Sequence, residues 1–130
     1  MSFQYICIKG WTMESGKSIP DLSFLRKFTE GDKKKMKFYI GLYLKTAPRL
    51  FEGLKIAMDL RNYDELYIKA HSLKPQTAYV GLTGLNETLA NVENAARNHL
   101  DWSIIQALFE KADDFNNRGT TELESILKKL

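Results

Sequence analysis

His71 and Lys74, one helical turn apart, are the pair in this sequence whose types and spacing could do chemistry. A neutral imidazole is nucleophilic near neutral pH, and an ammonium group within reach can balance the negative charge of a phosphoryl group attached to the ring. His-x-x-Lys is also the spacing of a solvated histidine beside a solvated lysine, and the spacing alone favours that plainer reading. The other histidine, His99, lies in the run Arg97-Asn98-His99-Leu100-Asp101 with no lysine at the matching offset, and it reads as a satisfied or solvated turn residue. Cys7 is the lone cysteine, which excludes an intramolecular disulfide. With two histidines in the whole chain, an ordinary Cys/His zinc site is excluded as well.

The chain is 130 residues long, 44% hydrophobic and 27% charged, which is the size and composition of one globular domain. Its 19 basic and 16 acidic residues leave a formal charge of +3. That surplus is too small to imply nucleic acid or an anionic membrane without a concentrated patch. The apolar runs are a few residues long, against the roughly 20 that a membrane span needs. Met1 to Lys9 shows no basic stretch followed by an apolar core, so no secretory signal is read and a soluble, cytoplasmic setting is expected. A Gly-rich phosphate-binding loop is missing too, so autophosphorylation from ATP is not expected.

The elements that must position His71 are helices. Between Asp21 and Leu130 the apolar residues recur at helical spacing, which predicts an all-α domain over residues 21–130. Residues 1–20 differ: Phe3, Tyr5, Ile6 and Ile8 suit a short strand, and Gly10, Gly16 and Pro20 punctuate the stretch beyond it, so the segment is read as an extension of uncertain structure. Asp21 caps a short helix, Leu22 to Phe28, which Gly31 ends. Asp32 caps the next, whose stripe is Met36, Ile40, Tyr43, Ala47, Leu50, Leu54 and Ala57, with Pro48 expected to kink it without breaking it. Asn62 with Glu65 forms a capping-box pair at the start of the third helix, striped by Leu66, Ala70, Leu73, Thr77 and Val80 and closed by Gly81. Thr83 opens a fourth, with Leu85, Leu89, Val92 and Ala96 inward.

Asp101 caps the last helix, with Ile105, Leu108, Ala112 and Phe115 inward. Asn116 to Thr121 interrupts its pattern, and Thr121 with Glu124 suits the cap of a separate final helix; the spacing leaves open whether one helix runs through Gly119. Short connections between long amphipathic helices predict an up-and-down four-helix bundle preceded by the short helix. On the third helix, with the centre of the buried stripe at zero, His71 falls at roughly 140° and Lys74 at about 80°. His71 therefore faces out, sharing a flank with Tyr67, Pro75 and Ala78, while Tyr79 points further around. The only charge run, Lys33, Lys34, Lys35 and Lys37, sits at a helix start, where the macrodipole mildly disfavours cations. It reads as a solvated face or as a docking patch for an acidic partner.

Ala70-His71-Ser72-Leu73-Lys74, followed by Gly81, resembles the phosphoacceptor segment of histidine-containing phosphotransfer (HPt) domains. Asp21-Leu22-Ser23-Phe24-Leu25 to Gly31-Asp32 is similar to that family's N-terminal helix and turn. Ala47-Pro48 sits where its second helix often carries proline, and Asn62-Tyr63 resembles the start of its histidine helix. The resemblance covers about Asp21 to Leu130. It departs at Pro75, where the family usually has a glycine that lets the partner approach, and the effect of that change on partner choice stays open.

The resemblance implies a relay step. His71, through Nε2, would take a phosphoryl group from a receiver-domain aspartate and pass it to another receiver, and Lys74 would stabilise the phosphoryl oxygens. Tyr67, Pro75, Ala78, Tyr79 and Arg97 would meet the receiver, and Glu93 with Arg97 falls where family members place polar residues near the site. The implied partners are response-regulator receivers and a hybrid histidine kinase, with Mg²⁺ held by the receiver and no cofactor or metal on this chain. The chain would act as a monomer, without nucleic acid or membrane. The rival readings are a non-phosphorylated adaptor with the same bundle and a nucleic-acid binder using the lysine run, which the small net charge argues against.

Overall fold

The computed structural model describes residues 19–130; the expected strand at Phe3 to Ile8, with Cys7, Gly10 and Gly16, lies outside the described residues. The described chain is all-α, with five helices: α1 (Ser23–Phe28), α2 (Lys33–Asp59), α3 (Tyr63–Tyr79), α4 (Thr83–Arg97) and α5 (Trp102–Lys129). α2 packs on α3, α3 on α4, α4 on α5 and α5 back on α2, which closes a four-helix bundle with α1 as the short leading helix. Its core joins residues from all five helices and the connecting turns, among them Leu25, Ile40, Leu54, Leu66, Leu89 and Ile105.

The caps follow from short polar side chains placed where helix N–H groups lack partners. Asp32 accepts from the amides of Lys34 and Lys35, Asn62 from Glu65, and Asp101 from Ser103. Asp21 accepts the Ser23 amide at 3.0 Å, although Leu22 is the residue that enters α1. Only half of the capping box forms, because the Asn62 amide donates to the Ala57 carbonyl in the preceding turn instead of to Glu65.

Two expected stripes each differ at one position. Phe51 is buried in α2 in place of the half-buried Leu50, and Phe109 in α5 in place of the half-buried Leu108. Residues three and four positions on from a buried residue flank the same stripe, so either can be the one that the neighbouring helix covers. Phe51 and Phe109 then meet across the bundle with ring centroids 5.5 Å apart. α2 runs through Pro48 and α3 through Pro75 without a break.

The last helix is one element, so no separate cap forms at Thr121 and Glu124. Gly119 lies buried within it because Leu82 occupies the space above: a Cβ there would come within 2.8 Å of a Leu82 methyl. Glycine serves close packing here and not a stop. Gly81 has a different reason. At φ +71° it reverses the chain after α3, and its carbonyl accepts the Asp21 amide at 2.9 Å. A Cβ on Gly81 would fall 1.7 Å from the Asp21 carbonyl oxygen, so no side chain fits without moving the backbone that leads into α1.

Gly81→Ala combines a left-handed backbone with a backbone collision and should cost about 3 kcal/mol or more of unfolding free energy. A urea midpoint within error of wild type would refute that packing. Tyr43 offers the opposite test: its ring is fully buried, and its hydroxyl has no hydrogen-bond partner. Burial raises its pKa, with Tyr79 adding to the effect. Tyr43→Phe should leave stability unchanged or raise it by about 1 kcal/mol, because an unsatisfied buried hydroxyl is removed at constant shape. A clear loss would mean that the hydroxyl is bonded in solution.

Candidate functional site

Leu66, Ala70, Leu73 and Thr77 bury one side of α3 and thereby turn His71 outward, with its side chain 66% exposed. The facing helix α4 is striped by Leu89, Val92 and Ala96, and Glu93 follows Val92 on the flank nearest α3. Glu93 is buried, its side chain only 9% exposed. Its two oxygens hold the two residues that the sequence singled out: Oε2 lies 2.5 Å from His71 Nδ1, and Oε1 accepts from Lys74 Nζ at 2.8 Å.

Burial pushes the Glu93 carboxyl up, but the hydrogen bonds and charges of Lys74 and His71 together outweigh it, so the group titrates below its usual 4.5. A carboxylate has no proton to give, so Nδ1 of His71 must be the donor. The neutral ring is then fixed as the tautomer with its lone pair on Nε2, the nitrogen that has no bond among the described residues. Lys74 is partly sheltered, at 28% exposure, and one of its three N–H groups is used on Glu93.

Tyr67 supports the ring from one turn earlier. Its ring is nearly parallel to the imidazole at a centroid distance of 5.9 Å, and Arg97 donates to its hydroxyl at 3.1 Å while lying 5.2 Å from its ring centroid. Glu93 and Arg97 are one turn apart on α4, so that helix supplies both the partner of Nδ1 and the residue that steadies Tyr67. The imidazole is thus held at one nitrogen and along one side.

Pro75 lies inside α3 and is exposed. Proline cannot donate to the carbonyl four residues back, which here belongs to His71. Side chains reinforce the next turn: the Lys74 carbonyl accepts from Thr77 Oγ1 at 2.8 Å and from Asn86 Nδ2 at 2.9 Å, and Asn86 also donates to Thr77 Oγ1 at 3.1 Å. Asn86 comes from the first turn of α4, so the backbone of Lys74 is tied to the helix that also holds its ammonium group.

Ala78 is exposed on the same helix, one turn beyond Lys74. Tyr79 goes elsewhere. It is half-buried against α2, donates to the Tyr39 carbonyl at 3.2 Å and packs edge-on to Tyr39 and Tyr43. His99 sits in the α4–α5 turn at φ +51° and stacks on Tyr63 at 4.3 Å, apart from the α3–α4 site. Among the described residues, no group of three or more His, Cys, Asp or Glu could hold a metal ion, and no helix is long and apolar enough to cross a membrane.

The structure therefore brings His71, Lys74, Tyr67 and Arg97 together around Glu93. Sequence reasoning had placed Glu93 only in the neighbourhood of the site. The signal that marked it was an acid directly beside the apolar stripe of α4, where a long solvated side chain would ordinarily be turned away. Comparison of the chain with protein-family models, curated proteins and solved structures found no match.

The lowered carboxyl pKa fixes a pH dependence. As the pH falls, the unfolded chain takes up this proton before the native chain does, so the stabilisation due to Glu93 is complete above the usual 4.5 and is lost as the pH drops through the lower native value. Glu93→Gln should remove that part of the acid dependence. The check is the urea midpoint of both proteins from neutral pH downward. Parallel curves would mean that the carboxylate contributes nothing in its ionised form.

Proposed function

We propose that the chain is a histidine phosphotransfer protein of the HPt type in a multistep His-Asp relay. The observation that carries this reading is the exposed imidazole bonded through Nδ1 to a buried, ionised carboxylate, which leaves the Nε2 lone pair on the outer surface. A pocket enzyme encloses its nucleophile. A nucleophile presented on a helix face suits a phosphoryl group that arrives bound to another protein.

In the forward step the Nε2 lone pair attacks the phosphorus of an aspartyl phosphate on a receiver domain. The N–P bond forms as the P–O bond to the aspartate breaks, and the carboxylate leaves with the bonding pair. No proton has to depart from Nε2, because it carried none. The ring becomes cationic with its proton still on Nδ1, and Glu93 compensates that charge, as an orienting carboxylate does for a histidine in a hydrolase triad. The N–H groups of Lys74 not used on Glu93 are available to the phosphoryl oxygens. Transfer to a second receiver reverses the same steps. Mg²⁺ is held by the receiver's acidic cluster, and a hybrid histidine kinase supplies the group upstream, in the cytoplasm. The chain itself is a monomeric intermediate with no kinase activity of its own.

Incubation with a phosphorylated receiver and Mg²⁺ should place acid-labile, alkali-stable label on the wild type and none on His71→Gln. Lys74→Ala should slow transfer by about 10²-fold, as expected for loss of one charge-stabilising donor, and should keep the helical circular dichroism of the wild type. Failure of the wild type to accept label from any of several receivers would overturn the relay. If receiver binding survived that failure, the chain would be an adaptor with the same bundle.

A further inference from the structure

The corner where α1 meets the start of α2 carries features that the His71 site does not use. Phe24, Phe28 and Phe38 are 57%, 59% and 62% exposed, and no core requires them there. Phe24 and Phe28 stack at 6.0 Å, while Phe28 and Phe38 each meet Tyr39 edge-on, at 5.4 and 5.3 Å. Between them runs an open groove of about 340 Å³, lined by Phe28, Thr29, Lys34, Lys35, Phe38 and Tyr39. Its floor is firm, because the Tyr39 carbonyl accepts from Tyr79 and the Thr29 hydroxyl donates to the Leu25 carbonyl at 2.8 Å.

Arg26, Lys27, Lys33, Lys34, Lys35 and Lys37 surround the groove in sequence, and none of the six is in an ion pair among the described residues. Four of them open α2, where the helix dipole already raises the potential and acidic residues would be favoured. Asp32 is the cap of that helix and is used by its amides. Exposed aromatic surface and unpaired like charge both oppose stability, and here they coincide.

We propose that this groove docks an acidic polypeptide segment carrying an aromatic or large aliphatic side chain. The apolar side chain enters between Phe28 and Phe38, and flanking carboxylates meet Lys34 and Lys35. Charge complementarity selects an anionic partner, and the concave shape selects a single inserted side chain over a flat lipid surface. The edge-on packing of Phe28 and Phe38 against Tyr39 does not present the row of parallel open faces on which bases stack. The inference does not rest on the phosphotransfer reading, since no residue of the groove belongs to the His71 site.

The test uses the full chain and a fluorescein-labelled peptide of glutamates with two phenylalanines, against an all-glutamate peptide, vesicles of phosphatidylserine and phosphatidylcholine, and oligothymidine. The mixed peptide should bind, weaken as sodium chloride is raised, and shift the amide resonances of Phe28, Phe38 and Tyr39. Phe38→Ser and the double change Lys34→Glu with Lys35→Glu should each weaken it by about tenfold or more. Both sites are solvent-exposed, and an unchanged circular dichroism spectrum checks that the variants fold. Three outcomes would overturn the proposal: equal binding of the all-glutamate peptide, tighter binding to vesicles or oligothymidine, or a mixed peptide unaffected by the variants.

Discussion

One buried carboxylate organises the outer face of α3. An ionised Glu93 is costly to remove from water, and its burial is sustained by the bonds it accepts from His71 and Lys74. The dependence runs both ways. Without Glu93, His71 would keep only its stacking on Tyr67 and could exchange tautomers, and Lys74 would lose the carboxylate to which it donates. His71 and Lys74 are each held by Glu93, and Glu93 is held by both, so the geometry belongs to the α3–α4 pair and not to α3 alone.

That arrangement explains why α4 must stand in register with α3 and why the connection between them is so constrained. The turn has room for no side chain at Gly81, and its carbonyl receives the chain entering α1. A few residues later Asn86 bonds back to the Lys74 carbonyl, in the part of α3 where Pro75 has removed a backbone donor. The proline costs the helix regularity beside His71, and the side chains of Thr77 and Asn86 bind the adjoining turn to its neighbour. In exchange Pro75 presents a compact, rigid surface next to the exposed imidazole.

Periodicity made most of this fold legible, because apolar spacing reports which side of a helix is buried. The α3 stripe and the outward direction of His71 follow from it directly. It does not choose between adjacent residues at the edge of a stripe, where Phe51 and Phe109 lie inside in place of Leu50 and Leu108, and it says nothing of depth. Glu93 could be placed near the site but not inside it, since its burial arises only when two helices meet. Gly119 was ambiguous for a related reason. A glycine that ends a helix and a glycine that admits Leu82 look alike until the neighbour is in place. Tyr79 sat on the outer part of the helix by angle, yet its length lets it reach back to the Tyr39 carbonyl on α2.

The separation of the two charged regions bears on how such a protein could meet its partners. At the His71 site the cation of Lys74 is paired with Glu93, and that of Arg97 is bonded to the Tyr67 hydroxyl. The α1–α2 corner carries cations that are in no ion pair among the described residues. The net charge of +3 is the balance of the whole chain and describes neither surface. Long-range attraction of an acidic partner would arise mainly at the corner, where the charge is unpaired, and orientation would be decided at α3, where the polar groups are already bonded in place. On the proposed relay reading, encounter and chemistry would then be set by different residues. Substitutions at Lys34 and Lys35 would alter how often a partner arrives, whereas those at Glu93 and Lys74 would alter what happens once it has docked.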